Sequence, residues 1–313
     1  MSVWLPTSPC TPEACAGHEG RTASVPHAVL RLTGAVALIL LGILGAPPVR
    51  LLPAGPRHAV VRAWSAALVR AFGIRITVHG SPGRRGGRLL VANHISWLDI
   101  PLVAAVMPSR MLAKSDIRDW PVLGRLAGRA GTLFIERDRI RALPATVTTM
   151  TRALLAGDRV AVFPEGSTWC GRAQGAFRRA AFQSALDAKV PVQPVHLAYL
   201  RPDGSLAGAP AFVGDDPLTA SLWRIARARG IRAEVTLLPR IPPGRHTDRR
   251  DLAAAAQRAV SDRAYERMPR TALPGQSTGP SATDRDSAKR PAASVHHWVS
   301  SSPAAASSFR TPS

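Results

Sequence analysis

The stretch Arg88-Leu89-Leu90-Val91-Ala92-Asn93-His94-Ile95-Ser96-Trp97-Leu98-Asp99, followed by the apolar Ile100–Val106, decides how the chain is read. A short, continuously apolar run reads as a strand covered on both faces. Asn93 to Ser96 break that run, and a helical spacing of apolar residues starts near Trp97. Ser96 and Asp99 stand three apart, the spacing of a capping box with serine as the cap. Helical side chains lean toward the helix N-terminus, so this reading aims the Asp99 carboxylate back at the turn that carries His94.

Outward from this unit the same alternation recurs. Strand-like runs are expected at 74–79, 88–92, 111–113, 131–135, 159–163, 192–199 and 231–238. Helices are expected at 97–107, 117–130, 139–156, 177–188, 218–228 and 249–268. Strands separated by helices require crossover connections, so the fold class is α/β: a mixed, largely parallel sheet flanked by helices. An N-terminal membrane-associated helical segment precedes it.

That segment is the uncharged run Leu32–Ala46, 15 residues long and followed by Pro47 and Pro48. Crossing a bilayer takes about 20 apolar residues. The run therefore reads as a short span, a helix that enters one leaflet and turns back at the prolines, a signal-peptide core, or a buried helix. Arg50, Arg57, Arg62 and Arg70 follow it, against Arg21 and Arg31 before it, a bias that would keep the remaining chain cytoplasmic. At 57–73, Val60, Val61, Trp64, Leu68 and Phe72 form an amphipathic helical stripe opposite Arg57, Arg62 and Arg70. Residues 1–27, rich in Pro, Ser and Thr, read as a disordered leader. Residues 28–50 read as the anchor segment and 57–268 as the catalytic domain. From 271 to 313 periodicity disappears, which reads as a disordered tail.

Composition bounds the remaining possibilities. The 313 residues carry 41 Lys+Arg against 20 Asp+Glu, a net charge of +21, and 46% of them are hydrophobic. A wholly disordered chain is excluded. Only Lys114, Lys189 and Lys289 are lysine, so the excess is almost all arginine and carries a genomic bias as well as any preference for acidic partners. Three cysteines exclude a disulfide scaffold, and no Cys-x-x-Cys pair points to a zinc module, so no metal is expected.

Four constellations bear chemistry. His94 with Asp99 offers a general base and the carboxylate that fixes its tautomer and stabilises the imidazolium. Phe163-Pro164-Glu165-Gly166-Ser167 forms a tight turn at a strand's carboxyl end, where Glu165 meets a substrate or clamps the loop. Arg172, Arg178 and Arg179 follow it. The run Gly131-Thr132-Leu133-Phe134-Ile135-Glu136-Arg137 delivers an arginine able to hold phosphate in bidentate fashion. Val190-Pro191-Val192-Gln193-Pro194-Val195 opens a strand with two prolines, which suggests a sheet edge or an entry beside a site.

In this order and spacing, over roughly residues 57–240, the four blocks resemble the glycerolipid acyltransferase family, which makes phosphatidic acid from lysophosphatidic acid. The resemblance implies His94 as catalytic base and Asp99 as its partner. It implies a substrate-binding set of Arg137, Glu165, Gly166, Ser167 and Pro194, with Arg137, Glu165 and Gly166 toward the acceptor's phosphate or glycerol. It implies a lysolipid acceptor (lyso-ornithine lipid as the alternative) and a thioester donor, acyl-CoA or acyl carrier protein. No cofactor is expected, and the site would face the cytoplasmic side of the cell membrane. Ser167 stands where the family commonly has Thr, and Ala180 replaces a glycine in Ala176–Phe182. Two rival readings come from other classes: a Cys170–His94 covalent acyltransferase or hydrolase, and a non-enzymatic nucleic-acid or membrane binder. Against nucleic acid, no recognised binding module is present.

Overall fold

Apolar runs such as Leu89–Ala92 and Val160–Val162 belong in a sheet covered on both faces, and the computed structural model places them at the centre of a seven-stranded one. It describes residues 7–83, 86–120, 123–136 and 139–267. The strands are β1 (Arg75–His79), β2 (Arg88–Ala92), β3 (Arg110–Lys114), β4 (Leu133–Ile135), β5 (Arg159–Val162), β6 (Val192–Leu200) and β7 (Arg232–Leu237). Their order is β1-β7-β6-β2-β5-β3-β4. Every pairing is parallel except β6 with β7. β2 divides its residues between two cores: Leu90 and Ala92 face one, Leu89 and Val91 the other.

The helices are α1 (Pro12–Cys15), α2 (Val25–Leu51), α3 (Ala54–Ala71), α4 (Asp99–Val106), α5 (Leu123–Arg129), α6 (Leu143–Leu155), α7 (Phe182–Asp187), α8 (Leu218–Arg227) and α9 (Arg249–Arg267). The expected helix at 177–188 starts late, because the Phe177 amide donates to Gln257 and the Arg178 amide to the Pro164 carbonyl.

Three expectations are corrected. The double-proline strand is central, not an edge: all nine residues of β6 are buried, and the edges are β1 and β4. Proline fits there because its neighbour replaces the missing donor. Pro194 accepts from the Leu238 amide but has no N–H to return, and the Leu238 carbonyl accepts from Gln193 Nε2 instead.

The leader, in its described part from residue 7, is folded rather than loose. Thr22 bridges to Ala228, the Ala23 amide donates to Arg227, and Arg201 donates to Glu19. The segment has no internal periodicity because its partners lie in distant loops.

The prolines do not end the apolar helix either. α2 runs 27 residues, about 40 Å at 1.5 Å per residue. Pro47 removes the amide that would serve the Ile43 carbonyl, and Arg129 donates to that carbonyl at 2.8 Å. At the other end, Arg31 donates to the carbonyls of Ala226 and Ala228, closing the C-terminus of α8. Trp64 of α3 donates to the Leu38 carbonyl. One side of α2 is thus fastened to the domain. The other carries an exposed apolar stripe of Val29, Val36, Leu40, Leu44 and Leu51, with Leu44 75% exposed. The tail, 271–313, lies outside the described residues.

Candidate active site

β2 and β5 are adjacent and parallel, so the turns leaving them emerge side by side at the same edge of the sheet. The first carries Asn93–Leu98 and the second Phe163–Ser167. The His94 and Phe163 rings stack there, with centroids 4.0 Å apart and planes 10° off parallel.

His94 Nδ1 and Asp99 Oδ2 are 2.9 Å apart. The same oxygen accepts the amides of Ile95 (2.6 Å) and Ser96 (2.9 Å), and Oδ1 accepts the Tyr199 hydroxyl (2.7 Å). A carboxylate already accepting three donors accepts at Nδ1 too, so that nitrogen carries the proton and donates it. Nε2 therefore keeps its lone pair and has no partner among the described residues. The His94 side chain is 17% exposed while Asp99 is fully buried. Burial and the Asp99 charge beside its hydroxyl push the Tyr199 pKa well above its ordinary value, so it stays a donor.

The expected capping box is half formed: the Ser96 amide donates to Asp99 Oδ2, but the Ser96 hydroxyl accepts from the Leu98 amide rather than that of Asp99. Asp99 is the first residue of α4 rather than the third, and no side chain caps the helix. The backward lean of its carboxylate survives and is what brings it to His94.

The turn is pinned at each peptide by a different part of the chain. Asn93 exchanges two side-chain hydrogen bonds with the Leu197 backbone, extending the β2–β6 ladder one step. The His94 amide donates to Glu165 Oε2 at 2.9 Å, and its carbonyl accepts from Trp169. The Ile95 carbonyl accepts from Phe212. Such over-determination holds the imidazole in one orientation without help from a ligand.

Of the two roles open to Glu165, the geometry has the clamp. It is buried, with Oε1 accepting the Gly175 amide as Oε2 accepts that of His94. Burial pushes its pKa up to about 8; the two amides pull down, and the Asp99 charge adds to the rise. The folded state thus binds a proton that the unfolded chain releases near 4.5, and this group takes away stability as pH rises from about 4.5 to about 8. Glu165→Gln, neutral throughout, is expected to flatten the denaturation midpoint across that window. The wild-type slope from this group is at most about 1.4 kcal/mol per pH unit. Parallel profiles for the two proteins would show that Glu165 does not titrate there.

Gly166 takes a left-handed φ of 76°, and its amide donates to the Phe163 carbonyl, closing the turn. Ser167 Oγ and Trp169 Nε1 are buried without a hydrogen-bond partner among the described residues, two donors beside the His94 turn. Pro194 lies within β6, paired in register with Val91, and serves the sheet. Arg137 lies outside the described residues. Arg172, Arg178 and Arg179 are exposed. No hydrogen bond joins His94 to Cys170, whose sulfur sits with those of Cys10 and Cys15. Of two surface cavities of about 430 and 490 Å³, the larger borders Val190 and Val192 of the double-proline block, and neither is lined by His94, Asp99 or residues of the Phe163–Ser167 turn.

Sequence reasoning missed Tyr199 and Asn93. A tyrosine in a wholly buried strand needs a partner for its hydroxyl, and that was the available signal.

Comparison with known proteins places this arrangement. The family model described as Acyltransferase matches residues 75–198. A lyso-ornithine lipid O-acyltransferase of Pseudomonas aeruginosa is 39% identical over 204 residues, covering 65% of this chain and 78% of that protein. A 1-acyl-sn-glycerol-3-phosphate acyltransferase of Neisseria gonorrhoeae is 36% identical over 184 residues, covering 58% and 71%. The crystal structure of the Thermotoga maritima 1-acyl-sn-glycerophosphate acyltransferase PlsC has the same fold, with a TM-score of 0.60 at 18% identity over 77% of this chain and 96% of that one. A buried carboxylate that orients one histidine beside a Phe-Pro-Glu-Gly turn is thus set in a sequence shared with lysolipid-acylating enzymes, and the chain belongs to the acyltransferase family.

Proposed function

We propose that the protein moves a fatty acyl group from a thioester, acyl-CoA or acyl carrier protein, to the sn-2 hydroxyl of lysophosphatidic acid, giving phosphatidic acid. The observation that carries this reading is the His94–Asp99 pair with Nε2 unpartnered. Nε2 takes the proton of the lipid hydroxyl as its oxygen attacks the thioester carbonyl, and Asp99 stabilises the imidazolium. The tetrahedral intermediate collapses, and the departing thiolate takes the proton back. A thioester is already activated, so neither a covalent enzyme intermediate nor a cofactor is required, and juxtaposition of the two substrates removes much of the barrier. Arg137 is the residue proposed for the phosphate, with Gly166 and Ser167 of the turn beside His94 toward the acceptor.

Acceptor and product are lipids, and α2 suits them. Its exposed stripe lies along a helix whose other side is fastened to the domain, the arrangement of a helix lying in the membrane surface. The exposed Arg62 and Arg70 of α3 meet anionic headgroups in this placement, and the anionic surface of the cytoplasmic leaflet supports that face of the cell membrane as the one proposed for the domain.

A second acceptor has a specific observation behind it: several relatives between 31% and 39% identical are lyso-ornithine lipid O-acyltransferases. The test is purified protein in mixed vesicles with labelled palmitoyl-CoA or palmitoyl-acyl carrier protein, offered each lysolipid separately. Labelled phosphatidic acid formed at about ten times the rate of the ornithine product supports lysophosphatidic acid. The reverse ratio transfers the assignment to the aminolipid, and no labelled lipid from any acceptor removes the reading.

A further inference from the structure

Cys10 and Cys15 stand in the N-terminal arm and Cys170 follows the Phe-Pro-Glu-Gly turn, yet their three sulfur atoms lie within 4.8 Å of one another. Cys10 and Cys170 are each 8% exposed, and all three thiols are free. Free cysteine ordinarily behaves as a small core hydrophobe, and these three do pack against one apolar core. Here three sulfurs converge on one another from segments some 155 residues apart. Three points so spaced share a centre within about 2.8 Å of each, close to the Zn–S bond of about 2.3 Å, so small rotamer shifts would complete the coordination. Thiolates select soft d10 cations over magnesium or calcium. Spacing in the sequence offered no sign of this, because the ligands do not come from one local loop.

We propose that Cys10, Cys15 and Cys170 form a three-thiolate site for one soft cation, zinc or monovalent copper, that clamps the N-terminal arm to the segment beside the catalytic turn. Binding exchanges three S–H bonds for three S–metal bonds and releases three protons to solvent, with no change of oxidation state. The clamp joins segments that already touch. Arg172 donates to the Ala14 carbonyl, and the Trp169 amide, one residue before Cys170, donates to the His94 carbonyl. A metal there would stiffen the loop that holds His94. This inference is independent of which lipid is acylated.

The test uses the full-length protein, reduced and free of oxygen. Zn(II) and Cu(I) are titrated separately against chromophoric chelators, and metal is counted by mass spectrometry. Thiols accessible to a disulfide reagent are counted before and after. One equivalent bound, three thiols protected and a raised melting temperature are expected for at least one of the two metals. Cys10→Ser, Cys15→Ser and Cys170→Ser should each weaken it by at least the ~10–100-fold that loss of an outer-shell partner costs. Should a serine variant fold poorly, Co(II) bound to the wild type reports thiolate ligation by its charge-transfer bands. Binding of neither metal, equal binding by all three variants, Co(II) without thiolate bands, or loss of two thiols to a disulfide with no metal retained would each overturn the proposal.

Discussion

Replacing His94 with alanine is expected to lower kcat for lysolipid acylation by about 1,000-fold, within the ~10²–10⁴ that a positioned general base contributes. KM for the lysolipid should change little, because Nε2 meets the hydroxyl proton chiefly as the oxygen attacks. The fold should survive: the side chain is only partly buried, and the backbone contacts of residue 94 to Glu165 and Trp169 do not involve the ring. The stack on Phe163 is lost, at about 1 kcal/mol. Steady-state acylation with a matched circular-dichroism melt checks both halves. A variant that acylates any lysolipid at close to the wild-type rate would remove His94 from the chemistry. The same assay on Cys170→Ser excludes the covalent thiol route if turnover persists.

How much of this was legible follows from which interactions are local. The central strands were readable because burial on both faces leaves apolar runs with little polar interruption, as in β2 and β6. The pairing of His94 with Asp99 was readable because five residues separate them, within the reach of one turn. The detail within that reach was not. Asp99 Oδ2 accepts the Ser96 amide as the spacing implies, but the Ser96 hydroxyl accepts from the Leu98 amide instead of that of Asp99, and α4 opens at Asp99.

Contacts spanning the chain were invisible to any local window. Residues 7–24 look like unpatterned polar sequence, yet they fold because loops near 170, 201 and 228 supply their partners. The same blindness hid Tyr199, a hundred residues from the carboxylate it serves. It also made Pro194 look like an edge residue, since nothing in the local sequence says that Gln193 replaces the missing donor. The continuation of α2 past Pro47 likewise depends on Arg129, 82 positions further along the chain.

The other large effect is expected at Asp99, and the choice of substitution separates its two duties. Asp99→Ala strands four donors in a buried space: His94 Nδ1–H, the Ile95 and Ser96 amides, and the Tyr199 hydroxyl. At about 1–3 kcal/mol for each donor left unsatisfied, the loss rivals the ~5–15 kcal/mol that keeps a typical domain folded, so this variant should be largely unfolded or insoluble. Asp99→Asn should fold. Its side-chain oxygen can take the Oδ2 place, where three N–H groups point, and its amide nitrogen then faces Tyr199, whose hydroxyl rotates to accept. In that arrangement Nδ1 still donates, Nε2 keeps its lone pair, and only the negative charge beside the imidazolium is gone. The expected fall in kcat is therefore about 100- to 1,000-fold, short of the ~10⁴ that accompanies a wrong tautomer. Adding Tyr199→Phe to Asp99→Asn should cost further stability by removing the acceptor of that amide. If Asp99→Asn instead turned over as fast as the wild type, the carboxylate would be a structural knot of the turn and the charge on it irrelevant to acyl transfer.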